Sequence, residues 1–261
     1  MRNKIFKKIK KITKIFRKVK PSQSPTKRFV PLVKMFLGKP LFIHDIASFY
    51  LGEAELFKSE MYKFKAKCKN PFIIDCGSNL GMSIIYFKEL YPEASIVAFE
   101  ADEYIFGFLE KNMRSFEYEN VQLINKAVWN CEDTLSFLVE GGAGGRLEME
   151  KTTGTYKKVN CTGLKKYLVG RKVDFLKIDI EGSEYKVIKD CENELNNIDY
   201  IFIEYHSFAN QEQNLHKILD IVSKAGFKYH IKEACTRKNP FIDKNLNLGM
   251  DLQLNIFCNR I

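Results

Sequence analysis

The sequence predicts an α/β fold: a seven-stranded, mostly parallel sheet with helices on both faces and an antiparallel strand at its C-terminal end. Three observations carry this expectation. From Pro71 onward, apolar runs of strand length alternate with segments of helix length, and near-continuous apolar strands need cover on both faces, as in a parallel sheet wrapped by crossover helices. The last two apolar runs are joined by a segment that holds Pro240 and Gly249 and has no helix pattern, so that pair is expected to be antiparallel. The length, 261 residues, fits one full-sized core with a tail rather than two domains.

Residues 1–20, MRNKIFKKIKKITKIFRKVK, hold ten of the 42 basic residues and no acid, and Ile5, Ile9, Ile12, Phe16 and Val19 recur at the spacing of one helical face. Such a basic amphipathic helix suits an anionic membrane surface, with lysines among the headgroups and isoleucines below them. A solvated or protein-binding arm fits the same pattern; the lack of tyrosine and tryptophan speaks against nucleic acid. PSQSP at 21–25 stops the helix. Residues 21–70 read as linker and lead-in helices, and the folded domain is expected over 71–261. Its strands are PFIIDC (71–76), SIVAFE (95–100), VQLINKAVW (121–129), VDFLKIDI (173–180), IDYIFIEYH (198–206), FKYHIKE (227–233) and MDLQLNIFCN (250–259). Helical segments such as MSIIYFKELY and EYIFGFLEKNMRSF lie between them.

Without the arm, 241 residues carry 32 basic and 32 acidic side chains; the body is neutral. No apolar run reaches the roughly 18 residues of a membrane span, and no uninterrupted apolar stretch at the N-terminus suggests a secretory signal, so a cytoplasmic location is expected. The seven cysteines (68, 76, 131, 161, 191, 235 and 258) lack CxxC spacing and read as reduced thiols. Clustered ligands for structural zinc are missing too.

The stretch FIIDCGSNLGMS (72–83) ends a strand in Asp75 and enters a turn with Gly77, Asn79 and Gly81. Glycines there let the backbone approach a ligand closely. The spacing is GxxxG, not the GxGxxG that would seat a pyrophosphate. Glu100, 25 residues after Asp75, ends the next strand in VAFE and is placed to accept hydrogen bonds from ribose hydroxyls. Together, on adjacent strands, the two motifs suggest S-adenosylmethionine. LKIDIEGSE (176–184) puts Lys177, Asp179 and Glu181 on one face, with Glu184 in the helix beyond. Carboxylates crowded at a strand end repel one another unless a cation, a proton or a ligand ammonium relieves them. IEYH sends Glu204 and His206 to one side and Tyr205 to the other. His206 is the expected general base, because imidazole titrates near neutrality. His44, His216 and His230 read as surface or packing residues.

At these residues the sequence resembles the FkbM family of S-adenosylmethionine-dependent methyltransferases. The resemblance runs from about Asp45 to the C-terminus and is most specific in DCGSNLG and KIDIEGSE, the latter close to the family's KIDVEGAE. Ser78 stands where the family usually has alanine, and Ala101 where proline commonly follows the ribose-binding acid. The resemblance implies a Rossmann-like class I methyltransferase fold and O-methyl transfer, often to a hydroxyl of a sugar or a secondary metabolite. By analogy Asp75, Gly77, Asn79 and Gly81 would hold the methionine part of the cofactor, Glu100 the ribose, and Ala127 with Val128 would border the adenine. Asp179, Glu181, Glu204 and His206 would face the acceptor.

The mechanism expected is proton removal by His206 or Asp179, with Glu181 and Glu204 orienting hydroxyls or binding a divalent cation; a metal requirement stays open, as does the oligomeric state. The loop EGGAGGR (140–146) is a candidate cover, with Arg146 toward an anionic group. The expected partners are a small-molecule or glycan acceptor and, through residues 1–20, the inner face of the plasma membrane. Two rival classes fit worse. A nicotinamide oxidoreductase would need the third glycine, and a nucleic-acid-binding protein would not gather acids at three strand ends, where they repel phosphates.

Overall fold

The protein is described from a computed structural model over residues 28–139, 145–147, 154–235, 237, 239–242 and 249–260. The basic arm, the PSQSP linker and residues 140–144 of the glycine loop lie outside the described residues. Cys76, Cys161, Cys191 and Cys258 are buried, Cys68, Cys131 and Cys235 exposed, and all seven are free thiols. Among the described residues, no helix is long and apolar enough to cross a membrane.

The chain begins with a hairpin, β1 (Leu32–Phe36) and β2 (Lys39–Ile43), followed by α1 (Ile46–Gly52) and a π-helical turn, Glu53–Lys58. The main sheet is built from β3 (Phe72–Cys76), β4 (Ser95–Phe99), β5 (Val121–Ile124), β10 (Val173–Ile178), β11 (Ile198–Phe208), β12 (Lys228–Glu233) and β13 (Met250–Asn259). Their order is β12-β13-β11-β10-β3-β4-β5. Only β13 runs against its neighbours, pairing antiparallel with both β11 and β12. The helices between them are α2 (Met82–Leu90), α3 (Glu103–Phe116), α4 (Lys165–Leu168), α5 (Glu184–Asp190) and α6 (Leu215–Lys224). From β3 the chain builds outward through β4 and β5, then returns to build the other way through β10 and β11. The connection order reverses between β3 and β10, and the crevice outside those strand ends is where ligands of such sheets bind.

Alternation explains why the strands are apolar at every position. Ile74 and Cys76 of β3 join Leu176, Ile178, Ile201 and Ile203 in one buried cluster, while Ile73, Phe175 and Phe202 join a second on the opposite face. The second cluster reaches into the lead-in: Tyr62 packs edge-on against Phe202 at 4.7 Å between ring centroids, and Phe64 meets Phe175 at 4.8 Å. Each such aromatic buried contributes about 1.5–3 kcal/mol, so residues 32–64 belong to the core of the domain.

Three parts depart from the sequence expectation. Residues 32–43, expected within a helical lead-in, form the hairpin, whose turn holds Leu37 and Gly38 at φ +49° and +80°, the positive pair a two-residue hairpin turn requires. The single strand expected at 121–129 is two. Asn125 Nδ2 donates to the carbonyls of Glu100 (2.9 Å) and Ala101 (3.3 Å) and breaks the ladder. The chain then leaves the main sheet as β6 (Ala127–Trp129), which pairs with β9 (Thr155–Gly163) in a separate sheet with β7 (Asp133–Val139) and β8 (Arg146–Leu147). That four-stranded sheet, order β6-β9-β7-β8, is the third departure.

The hairpin is fastened to the domain by Asn112 of α3, which is fully buried. Its Oδ1 accepts from Phe42 N at 2.7 Å, and its Nδ2 donates to Phe42 O at 3.0 Å and to Leu80 O at 2.8 Å. One side chain thereby ties the hairpin to the turn after β3. Asn112→Ala leaves these buried backbone groups without partners and should cost about 2–3 kcal/mol, read as a lower urea midpoint with an unchanged m-value.

Candidate functional site

The strand ends of β3 and β10 meet at a glycine. Gly77 has φ +88°, and a Cβ there would lie 1.9 Å from the carbonyl oxygen of Asp179. Only a residue without Cβ lets the two ends close. Gly77 N and Ser78 N both donate to Phe99 O, at 3.0 and 2.8 Å, and join β4 to the same corner. Asn79 sits at φ +48°, a conformation asparagine tolerates better than most residues. Its Oδ1 accepts from Leu80 N at 2.7 Å and lies 2.8 Å from His44 Nε2. His44 is buried, so it packs behind the turn, whereas His216 and His230 are exposed.

Glu100 faces this turn from the end of β4. Its Oε2 accepts from Asn79 N at 2.9 Å and its Oε1 from Asp102 N at 2.8 Å. Burial pushes its carboxyl up to about 7 even against these two donors. The carboxylate is thus aimed by backbone groups, and each oxygen keeps acceptor capacity for a ligand hydroxyl.

A cavity runs along these strand ends. One part of its wall is Gly77, Asn79, Phe99, Glu100, Ala127 and Val128; the other is Glu55, Tyr62, Asp179, Glu181, Glu204 and Gln253. Ser48, Leu51 and Gly52 of α1 border it, and Phe137, Gly145 and Leu147 reach it from the small sheet. Of the residues singled out in the sequence, eight therefore share one wall: Gly77, Asn79, Glu100, Ala127, Val128, Asp179, Glu181 and Glu204.

Three others stand behind it. Asp75 is fully buried: its Oδ2 accepts from Ser83 Oγ at 2.5 Å and its Oδ1 lies 3.3 Å from Lys177 Nζ. Asp75 is a counter-ion within the wall, and at this corner Lys177 and Gly77 line the cavity instead. Gly81 opens α2, and a Cβ there would come within 2.8 Å of Leu109 and Met113; its place is set by packing on α3. The third is His206, whose ring is buried. Its Nδ1 lies 3.0 Å from Glu184 Oε1, and its Nε2 lies 3.6 Å from Glu181 Oε2 and 3.8 Å from Glu204 Oε1. Burial alone would push the imidazole down, but Glu181, Glu184 and Glu204 override it and raise its affinity for a proton well above the usual value. His206, expected to be the free general base, thus has both ring nitrogens facing carboxylates, an arrangement that favours its protonated form.

Two basic side chains face the acids at this end, His206 and Lys177. Lys177 Nζ donates to Gly77 O at 2.7 Å and lies 3.1 Å from Asp179 Oδ2. Burial opposes its charge, yet Asp179 and Asp75 hold the ammonium well above its ordinary range. Glu181 is pushed up to about 8 and Glu204 to about 7, in both cases by burial first. Asp179, Glu181 and His206 bring one ligand atom each within 4.8 Å of one another, a spacing a divalent cation would accept. Glu181 also stands at φ +54°, a left-handed conformation costing a non-glycine residue about 1 kcal/mol. That turn swings its carboxylate off the strand axis and into the cavity.

Sequence reasoning missed Glu55, Tyr62 and Gln253. Gln253 Nε2 donates to Glu204 Oε1 at 2.6 Å and lies opposite His206 in the β11/β13 register; a polar residue inside the apolar run LQLNIF was the available signal. Arg146, expected to meet an anionic group, has its guanidinium over the Phe208 ring at 4.6 Å and is absent from the cavity wall.

A family model described as "Methyltransferase FkbM domain" matches residues 75–229. The chain is 26% identical over 165 residues to Methyltransferase 1 of Beauveria bassiana (strain ARSEF 2860), a match covering 54% of this chain and 66% of that protein. It is 37% identical over 59 residues to Methyltransferase sdnD of Sordaria araneosa, covering 23% of each. The chain thus spans just under two thirds of the first relative and about a quarter of the second. Among solved structures, Methyltransferase FkbM from Methylobacillus flagellatus KT aligns with a TM-score of 0.51 at 14% identity, over 78% of this chain and 47% of that one. M. jannaschii TYW2 in complex with AdoMet aligns with a TM-score of 0.50 at 12% identity, over 91% and 90%. At these identities the two structures establish the likeness of fold.

Glu100, Glu181, Glu204 and His206 all bind protons more tightly in the fold than in the unfolded chain. The native state therefore carries the excess protons above the unfolded carboxylate value of about 4.5, and their stabilising contribution is lost as pH rises through about 7 to 8. Urea unfolding should show stability falling between roughly pH 5 and pH 8 by an amount on the order of a few kcal/mol. The fall should be shallower in Glu181→Gln. A flat or rising wild-type profile would contradict the burial assigned to these acids.

Proposed function

Because this chain belongs to the methyltransferase FkbM domain family, we propose that it is an S-adenosylmethionine-dependent O-methyltransferase acting on a hydroxyl of a sugar or glycan precursor. The observation that carries the reading is the cavity itself. At one end lies Glu100, aimed by two backbone donors beside apolar residues; at the other, several acids are gathered around buried Lys177 and His206.

The first end fits an adenosyl group. Glu100 would accept from the ribose hydroxyls, Ala127 and Val128 would flank the adenine, and Gly77 and Asn79 would border the methionine part, with Asp75 acting through Lys177. The AdoMet held by M. jannaschii TYW2 supports the same cofactor here. S-adenosylmethionine, when bound, supplies an electrophilic methyl group on a sulfonium.

The protein's task is then to hold an acceptor oxygen in line and to take its proton. Glu181 is the group for this: it lines the cavity, and burial raises its proton affinity to about 8, close to the working pH, where a base is most effective. With the cofactor bound, the acceptor oxygen would take the methyl group as its bond to sulfur breaks and a neutral thioether leaves, and Glu181 would take the hydroxyl proton, so that charge and atoms balance. His206 positions Glu181 from behind while Glu184 holds its other nitrogen. Glu55, Asp179 and Glu204 are acceptors for further hydroxyl hydrogens, which favours a polyhydroxylated substrate and disfavours an anionic one close to the reacting oxygen. The basic arm adds peripheral association with an anionic membrane, where glycan precursors on lipid carriers would be met.

Glu100→Ala should weaken S-adenosylmethionine binding at least about a hundredfold in calorimetry; wild-type affinity in this variant would refute the ribose assignment. In Glu181→Gln, turnover of an oligosaccharide or nucleotide-sugar acceptor should drop by about 10²–10⁴ while cofactor affinity is kept. In the wild type, kcat/KM should climb between roughly pH 6 and pH 9 as the base loses its proton. Normal turnover by Glu181→Gln would move the base elsewhere.

A further inference from the structure

The outer face of the N-terminal hairpin is apolar and has no cover among the described residues. Along β1, Leu32, Lys34 and Phe36 turn toward the domain, and Phe36 is buried. Val33 and Met35 turn away, 57% and 63% exposed, with Leu37 in the turn at 50%. The register pairs Val33 with Phe42 and Met35 with Pro40, so the outward face is Val33, Met35, Pro40 and Phe42, without a polar side chain. Both hairpin lysines are engaged elsewhere: Lys34 lies over the rings of Phe49 and Tyr50, and Lys39 pairs with Glu117. Scattered exposed apolar residues need no explanation; a whole sheet face does.

This face lies where the basic arm joins the domain. Arg28 is clamped on Asp45, with Nε 3.0 Å from Oδ1 and Nη2 2.8 Å from Oδ2. Asp45 is fully buried and also caps α1. Burial opposes the charge of that carboxylate, but Arg28 and Ser48 hold it down at about 2, so the clamp stays charged across the physiological range. The chain outside the described residues therefore leaves from a fixed point beside the hairpin. From there residues 21–27, PSQSPTK, lead back to the arm, a span of at most about 25 Å.

We propose that the outer hairpin face is a membrane-docking surface that enters the interface of an anionic bilayer next to the arm. The arm supplies ten basic residues for the headgroups, and the hairpin supplies apolar side chains held in a rigid plane. Tethering makes the second contact effectively intramolecular, so two weak attachments act together. A second copy of the chain is the poorer occupant, because pairing through this face would bring two strongly basic arms side by side. Docking in this way also orients the enzyme. The helix α1 begins three residues after β2 and lends Ser48, Leu51 and Gly52 to the cavity wall. The seven residues of α1 span about 10 Å, so the cavity mouth stays close to the lipid.

The proposal extends the membrane reading of the arm, and the test separates the two. Full-length protein is floated with vesicles of phosphatidylcholine containing about one third phosphatidylglycerol, and with phosphatidylcholine alone. The wild type should float with the anionic vesicles. Val33→Glu/Met35→Glu should lower the partition coefficient about tenfold or more, with an unchanged melting midpoint and unchanged S-adenosylmethionine affinity by calorimetry. If the glutamates lower the melting midpoint, Val33→Ser/Met35→Ser takes their place, with a severalfold loss expected. Flotation of the folded variants equal to the wild type, while removal of residues 1–20 abolishes it, would overturn the hairpin surface and leave the arm alone. A wild type that stays off the vesicles, or that elutes as a dimer which the hairpin variants dissociate, would overturn the proposal as well.

Discussion

The ammonium group of Lys177 is the interaction on which the rest of the site depends. It sits 3.3 Å from Asp75 Oδ1, 3.1 Å from Asp179 Oδ2 and 2.7 Å from the carbonyl of Gly77, and so joins the ends of β3 and β10 where the sheet reverses direction. Removing one partner of a buried pair like this typically costs about 3–5 kcal/mol, because the remaining charge is left stranded. Packing adds a second constraint at the same place, since the Gly77–Asp179 approach leaves no room for a Cβ. Electrostatics and sterics thus fix one corner, from which the Glu100 end and the acidic end of the cavity take their positions.

The two ends solve opposite problems. At Glu100 a buried carboxyl is held chiefly by two backbone N–H groups. At Glu181, Glu204 and Asp179 several carboxylates share one region, and the protein answers with Lys177 below and His206 behind. Lys177 and His206 are each surrounded by acids, so this end of the cavity offers little net positive field. A donor-rich neutral acceptor suits this field, and so does the passing of a proton to an acid whose affinity for it is already raised.

Much of this was legible in the residues. Apolar runs ending in acids place Asp75, Glu100 and Asp179 at one edge of the sheet, because a parallel sheet presents all its carboxyl ends together. The GxxxG spacing and the lack of a helix pattern in the sequence before the last strand separate this fold from a dinucleotide-binding one. What was not legible depends on contacts across the chain. His206 looks like a base from its own neighbours, but its ring also faces Glu184, which comes from α5, and Glu181, which stands in a left-handed turn, and both favour its protonated form. The ends of a strand are also hard to read when a side chain cuts the ladder, as Asn125 does between β5 and β6. The hairpin escaped because its outward face is as apolar as its inward one, so LVKMF lacks the period of two that marks a half-buried strand.

The break at Asn125 has one more consequence. Ala127 and Val128 border the cavity from a strand whose partner is β9 of the small sheet, not the ladder that carries Glu100. That end of the cavity is therefore a joint between two separately built scaffolds. Under the proposed reading, drift in the lesser sheet would reshape the slot for the base while the corner at Glu100 and Lys177 keeps its shape, so that selectivity for the base and competence in transfer could evolve on independent schedules.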